Sequence, residues 1–158
     1  MEADVRKTLA MTLYSLSGDP PPEKRWRFML DRSEEAPNTF SMPEVLPSWV
    51  TEKDVDYFAS EFLRTGFRGG LNWYRNIDRN WELTSFLEGA KICPPALFVA
   101  GEVDPVIKIY QKAYEVLERN VLQLKRKILI PGVGHWVNQE RPAEVNQLIL
   151  EFLTSLKK

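Results

Sequence analysis

The residues of this sequence that are best suited to chemistry are an aspartate and a histidine, each of which follows a short apolar stretch. Residues 95–101 lead into Asp104, and residues 126–131 lead into His135, the single histidine of the 158 residues. An aspartate that orients one ring nitrogen of a histidine leaves the other free to take a proton from a hydroxyl or a water. The pair predicts the acid and base of a catalytic triad in the chain order nucleophile, aspartate, histidine.

Two predicted strands and a connecting helix must position this pair. Both apolar stretches have the length and composition of buried strands, the first beginning at Pro94-Pro95, and Pro105 suits the first turn of one helix that continues toward Asn120. Two strands joined by a helical crossover lie parallel and end at the same edge of the sheet, where open α/β sheets build their sites. Asp104 and His135 are therefore expected to meet. The simpler alternative is a turn and helix start at Asp104 with a loop histidine at position 135, and the spacing alone leaves both open.

The remaining sequence predicts mostly helices. Apolar residues recur at helical spacing over residues 2–17 and again after Pro142. Another helix is expected to begin at Thr51, whose hydroxyl can cap the first turn, and to end at Gly66. Residues 23–48 contain several prolines and no sustained period, which indicates a surface segment to which we assign no function.

An aromatic helix is predicted over residues 71–81, where Trp73, Ile77 and Trp81 share one face and Tyr74 lies beside it. A tyrosine in such a helix is commonly a packing residue whose hydroxyl reaches water or a carbonyl group. The alternative is a phenol that points into a cavity, donates to a substrate oxygen and protonates a developing alkoxide. The spacing alone favours the packing role.

Three segments carry a more specific signal. Residues 101–106 are GEVDPV, residues 132–142 are GVGHWVNQERP, and residues 67–81 are FRGGLNWYRNIDRNW. The first two resemble the final part of the α/β-hydrolase superfamily, and the third resembles the cap segment of the soluble epoxide hydrolases. The aspartate and histidine motifs are common to many hydrolases, whereas the run from Asn72 to Asn76 is much more specific. The resemblance extends over nearly the whole chain.

The resemblance implies an α/β fold of a particular kind, a partial α/β-hydrolase fold. Residues 1–84 would form a mostly helical but incomplete cap segment. Residues 85–158 would form the C-terminal part of the hydrolase core, with the last two parallel strands and two helices of the main sheet.

The resemblance also implies an activity, the hydrolysis of a small-molecule epoxide to a vicinal diol through an alkyl-enzyme ester. In that reaction an aspartate nucleophile opens the epoxide, a tyrosine holds its oxygen, and a histidine activates the water that cleaves the ester. The implied catalytic residues are Asp104, His135 and Tyr74, and the implied substrate-pocket residues are Trp73 and Trp136. No metal or organic cofactor is implied, and a lone histidine argues against zinc.

Several family features have no counterpart in this sequence. Neither a G-x-S-x-G nor a G-x-D-x-G pattern occurs, and the oxyanion loop and a first cap tyrosine are missing. We therefore expect the isolated chain to be inactive. The chain could be a fragment of a longer protein, which we favour, or could associate with a separate amino-terminal half or a second copy of itself. A non-catalytic remnant or interaction module is another alternative, as is another α/β-hydrolase such as a haloalkane dehalogenase or esterase.

Composition indicates the protein's surroundings. A net charge of −1 gives no electrostatic footprint for nucleic acid or an anionic membrane. No stretch approaches the roughly 20 apolar residues of a membrane span, and the first residues lack the apolar core of a signal peptide. The single cysteine, Cys93, cannot form an internal disulfide. Together these features predict a cytoplasmic protein.

Overall fold

The segments with regular apolar spacing form helices at residues 5–16, 52–65 and 142–155, and the two short apolar stretches form one small sheet. The computed structural model describes residues 4–26 and 40–156. The elements in chain order are α1 (Val5–Leu16), α2 (Glu52–Thr65), α3 (Arg68–Arg75), α4 (Ile77–Leu83), β1 (Ile92–Gly101), α5 (Pro105–Ile109), α6 (Gln111–Glu115), α7 (Leu117–Asn120), β2 (Val121–Ile130), α8 (Val137–Glu140) and α9 (Pro142–Ser155). Single 3₁₀ turns lie at Pro22–Lys24 and Ser85–Leu87.

The sheet confirms the predicted pairing of the two strands. Strands β1 and β2 are parallel, and their last residues, Gly101 and Ile130, are register partners. Both strands begin earlier than predicted, and β1 includes Pro94 and Pro95. Proline has no backbone N–H to donate to the ladder, and the register is irregular between Ile92 and Pro95. The irregularity lies toward the start of β1, whereas the carboxyl ends of the two strands are aligned. These ends are the part of the sheet that positions the site.

The predicted ends of helix α2 are confirmed. The side chain of Thr51 accepts a hydrogen bond from the backbone N–H of Asp54 at 3.2 Å, and the carboxylate of Asp54 accepts one from the backbone N–H of Thr51 at 2.8 Å. This capping box lowers the pKa of Asp54, because the Thr51 hydroxyl and N–H donate to its charged form. At the other end Gly66 has φ 70°, a conformation that glycine adopts without steric cost.

The prediction of a single helix over residues 71–81 is wrong, because the chain forms two helices that meet at Asn76. The φ and ψ angles of Asn76 are −97° and 7°, outside the helical range. Its side-chain amide donates to the carbonyl of Asn72 at 2.8 Å, and its backbone N–H donates to the same carbonyl at 3.2 Å. Side-chain bonds of this kind to a preceding carbonyl bend helices. Trp73 and Trp81 consequently lie on different helices, and both are mostly exposed.

The crossover between the strands also differs from the single helix that the sequence predicts. It consists of three short helices, with non-helical residues at Tyr110 and Val116. Tyr114 attaches the middle helix to the sheet. The centroid of its ring lies 5.6 Å from that of Phe98, and the Lys127 ammonium nitrogen lies 4.2 Å from the Tyr114 centroid, over the face of the ring. These contacts hold the crossover to the sheet without a continuous helix.

In the described part of the chain, three groups of buried apolar residues form the core. One joins α1 and α2, one joins the sheet and its following loop to α9, and one joins the start of α1 to the end of α2. Their buried members are, respectively, Ala10, Leu13, Val50 and Val55; Ile130, Val133, Val145 and Leu148; and Val5, Ala59 and Phe67. Trp136, which follows the histidine, packs against the first group. The loop after β2 therefore contacts the helical part of the chain as well as the sheet.

Candidate active site

Asp104 is held at the end of strand β1 by the helix that follows it. Asp104 is buried, with only 8% of its surface exposed. Its Oδ1 atom accepts a hydrogen bond from the backbone N–H of Val106 at 2.8 Å and so caps helix α5, whose first residue is Pro105. This cap fixes the orientation of the carboxylate independently of its contact with His135.

His135 is held by the loop that follows strand β2. Gly132, with φ 69°, allows the chain to turn directly after the strand. The backbone N–H of His135 donates to the carbonyl of Leu16, the last residue of α1, at 2.8 Å. The side chain of His135 remains 38% exposed. The loop is thus anchored, while the imidazole can still be reached from outside.

The structure brings Asp104 and His135 together, which confirms the predicted proximity. Both carboxylate oxygens lie 3.2 Å from Nδ1 of the imidazole. The hydrogen bond to Asp104 raises the pKa of His135, and the charges of Asp104 and Glu140 act in the same direction, whereas burial opposes them. Because Asp104 engages Nδ1, Nε2 is the nitrogen left to exchange a proton.

Glu140 is the residue of this site that the sequence did not reveal. Its Oε2 atom accepts hydrogen bonds from the backbone N–H groups of Gly18 at 2.9 Å and Gly134 at 3.0 Å. Its Oε1 atom accepts one from the backbone N–H of Trp136 at 3.1 Å. Helical or strand periodicity could not indicate this residue, because its partners are backbone groups, one of them near the opposite end of the chain.

Tyr74, Trp73 and Trp136 share a cavity of about 520 Å³. Most of its remaining lining consists of apolar side chains from α1 and α2 and the start of α3. Asp104 and His135 do not line it, but the rings of His135 and Trp136 meet edge to face with 5.0 Å between centroids. Tyr74 and Trp73 are 71% and 78% exposed, so the cavity is open on their side.

Within residues 4–26 and 40–156, no group of three or more acidic, histidine or cysteine side chains is arranged to hold a metal ion. None of the helices in these same ranges is long and apolar enough to cross a membrane.

Parallel strands that carry a buried aspartate and a histidine after their aligned carboxyl ends define the class, the C-terminal part of an α/β-hydrolase. A comparison with known protein-family profiles gives no match. The chain is 50% identical over 117 residues to epoxide hydrolase A of Mycobacterium tuberculosis, which covers 73% of this chain and 35% of that protein. It is 34% identical over 154 residues to an epoxide hydrolase of Caballeronia sordidicola, covering 98% of this chain and 46% of that protein.

Solved structures give the same assignment. An epoxide hydrolase from an endophytic Streptomyces superposes with a TM-score of 0.91 at 37% identity, over 99% of this chain and 47% of that one. Epoxide hydrolase A from Mycobacterium thermoresistibile gives a TM-score of 0.85 at 42% identity, over 97% of this chain and 47% of that one. The chain is a homologue of the epoxide hydrolases and corresponds to their C-terminal part. It spans less than half the length of each of these relatives.

Proposed function

We propose that this chain supplies the acid–base pair and one tyrosine of an epoxide hydrolase, which acts when the amino-terminal part of the enzyme is also present. The observation that carries this proposal is the 3.2 Å separation between the Asp104 carboxylate and Nδ1 of His135 in a homologue of epoxide hydrolases. We retain the division into a cap segment, residues 1–84, and a core segment, residues 85–158, as part of this proposal.

The proposed reaction has two steps. An aspartate from the amino-terminal part attacks an epoxide carbon, the carbon–oxygen bond breaks, and the hydroxyl of Tyr74 donates its proton to the alkoxide that develops. Nε2 of His135 then takes a proton from a water molecule, whose oxygen attacks the ester carbonyl. The acyl carbon–oxygen bond breaks, the departing alkoxide takes the proton of the new carboxyl group to give the vicinal diol, and the imidazolium returns its proton to the Tyr74 phenolate. Asp104 stabilises the imidazolium that forms. The reaction requires no metal or organic cofactor.

The cavity beside Trp73 and Trp136 is the proposed substrate pocket. Its lining is dominated by apolar and aromatic side chains, which favours epoxides with apolar substituents. Tyr74 is 71% exposed in this chain, so its hydroxyl would lie in mainly apolar surroundings only once the amino-terminal part covers the open side of the cavity. A hydrogen bond to a developing oxyanion is stronger in such surroundings than in water.

An alternative is a non-catalytic interaction module, and the exposed apolar surface is the observation that favours it. Trp73, Trp81 and Phe86 are each exposed by more than three quarters. Among residues 4–26 and 40–156, no further strand pairs with the outer edges of β1 and β2. In our proposal the same surface is where the amino-terminal half, or a second copy of the chain, associates.

Another α/β-hydrolase is a further alternative. A haloalkane dehalogenase would need halide-binding donors in place of Tyr74. The cytoplasmic location stays a prediction from the sequence.

Reconstitution tests the proposal. The amino-terminal part of the Streptomyces relative, fused to this chain, should convert an aryl epoxide such as styrene oxide to its diol. The His135→Gln variant of the same fusion should lose diol formation, and the isolated chain should show none above background. A folded fusion without turnover would contradict the proposal. Turnover by the isolated chain that depends on His135 would contradict the expected need for the other half.

A further inference from the structure

Glu140 carries an unusual set of contacts for a carboxylate. It is 7% exposed, and its hydrogen-bond partners are three backbone N–H groups, from Gly18, Gly134 and Trp136. No lysine or arginine side chain among the described residues forms an ion pair with it. Burying a carboxylate is costly unless hydrogen bonds compensate it, so these three N–H groups are what make this position tolerable for the charge.

Two of the three N–H groups flank the histidine in the sequence. Gly134 precedes His135 and Trp136 follows it, so that the carboxylate holds the backbone on both sides of the imidazole. With its two neighbours fixed, the histidine side chain leaves the loop in a defined direction, toward Asp104. Glu140 itself is fixed as the last residue of helix α8.

The third N–H group joins this loop to the end of helix α1. Gly18 lies two residues beyond α1 and approaches the loop so closely that a Cβ added there would collide with the backbone of Gly132. A Cβ at Gly134 would collide with the backbone of Leu16 and Ser17. Two further hydrogen bonds cross here, from the His135 N–H to Leu16 and from the Trp136 indole to Leu13.

We propose that Glu140 is a positioning residue for His135, which locks the histidine loop against the end of helix α1 and so keeps the imidazole in reach of Asp104. The inference rests on the proposed function for its catalytic meaning, but the geometry of the loop does not depend on it. Glu140 acts through the backbone and through its charge, and it does not contact the reacting atoms.

The charge of Glu140 gives the proposal a readout that a purely structural role would not move. The carboxylates of Asp104 and Glu140 are the charged groups that act on His135, and both raise its pKa. The Glu140→Gln substitution keeps the size of the side chain but removes its charge, and places an NH₂ donor among backbone donors. We expect the pKa of His135 to fall in this variant.

The test is a proton NMR titration of the 158-residue chain, in which His135 is the only histidine and gives one titrating imidazole. We expect the midpoint to shift to lower pH in Glu140→Gln, and to shift less in Glu140→Asp, which keeps the charge but shortens the side chain. Glu144→Gln removes an exposed carboxylate from the next helix and serves as the matched control, with no shift. A wild-type midpoint in a folded Glu140→Gln chain would overturn the proposal.

Hydrogen exchange keeps the proposal testable where Glu140→Gln does not fold. The shorter side chain in Glu140→Asp should accelerate exchange at the amides of Gly18, Gly134 and Trp136, while the amide of Gly66, at the end of α2, keeps its wild-type rate. Wild-type exchange rates at all four amides of Glu140→Asp would contradict a role for Glu140 in this loop. Neither readout needs turnover. If the midpoint and the exchange rates change as expected but the fusion is inactive, only the proposed function is rejected. If the fusion is active but neither the midpoint nor the exchange rates change, only the role of Glu140 is rejected.

Discussion

Both carboxylate oxygens of Asp104 lie 3.2 Å from Nδ1 of His135, and one of them also caps the helix that follows the aspartate. The cap leaves the carboxylate little freedom to turn, since its movement would expose the N–H of Val106. The imidazole therefore meets a carboxylate that is already oriented. This relationship makes the stability of the folded chain depend on the protonation of His135.

The direction of that dependence follows from the raised pKa of His135. A group whose pKa is higher in the folded state than the ordinary 6.5 contributes stability below that value, and loses it as the pH rises through the folded-state pKa. Asp104→Asn keeps an oxygen for the helix cap but removes the charge. We expect it to lower the free energy of unfolding more below pH 6.5 than at an alkaline pH above the folded-state pKa. Urea unfolding followed by tryptophan fluorescence measures both values.

Asp78→Asn is the matched control for this experiment, because Asp78 is exposed on α4 and its carboxylate forms no hydrogen bond or ion pair with the other described residues. Its effect on the free energy of unfolding should not change over the same pH range. An Asp104→Asn effect of the same size at both pH values would show that the pair does not depend on the charge of His135.

The close approach of Gly18 to the histidine loop predicts a second effect on stability. A methyl group in Gly18→Ala would collide with the backbone of Gly132, and overpacking of this kind costs roughly 1–3 kcal/mol. In Gly69→Ala the methyl group meets no atom within 4 Å on helix α3, and alanine favours a helix over glycine. Thermal unfolding should show a lower midpoint for the first variant and an unchanged or higher one for the second. Equal midpoints would contradict the close contact.

Sequence reasoning succeeded where the signal was local or depended on general rules of topology. The capping box at Thr51 and the glycine at position 66 mark the ends of α2 because the required groups lie within a few residues of each other. Asp104 and His135 could be paired without a structure because two consecutive strands joined by a crossover lie parallel.

It failed where tertiary contacts replace regular periodicity. At Asn76, where the helix breaks, the side-chain amide shares the Asn72 carbonyl with the backbone N–H of the same residue. The crossover is attached to the sheet through Tyr114 rather than through one apolar stripe. Glu140 was missed because its role is visible only when Gly18 and the histidine loop are brought together.

The capping box of helix α2 predicts a third measurable effect. Thr51→Ala removes the hydroxyl that accepts from the backbone N–H of Asp54 and should destabilise the folded chain by about 1 kcal/mol. Thr51→Ser keeps a hydroxyl at the same place and should retain most of the stability. Urea unfolding at one pH compares the two variants. The same loss in both would mean that the methyl group of Thr51, and not its cap, contributes the stability.

The exposed position of Tyr74 on the wall of the apolar cavity leads to a prediction about the reconstituted fusion. Tyr74→Phe keeps the ring and removes the hydroxyl that would protonate the alkoxide, so the rate of diol formation should fall by about 10²-fold or more, the usual contribution of a general acid. Tyr57→Phe, on an exposed tyrosine of α2 outside the cavity, is the control and should keep the wild-type rate. Steady-state assays with an aryl epoxide measure both rates. If Tyr74→Phe turned over epoxide as fast as its control, Tyr74 would be a packing residue, and the case for an epoxide rather than another substrate would lose its support from this side chain.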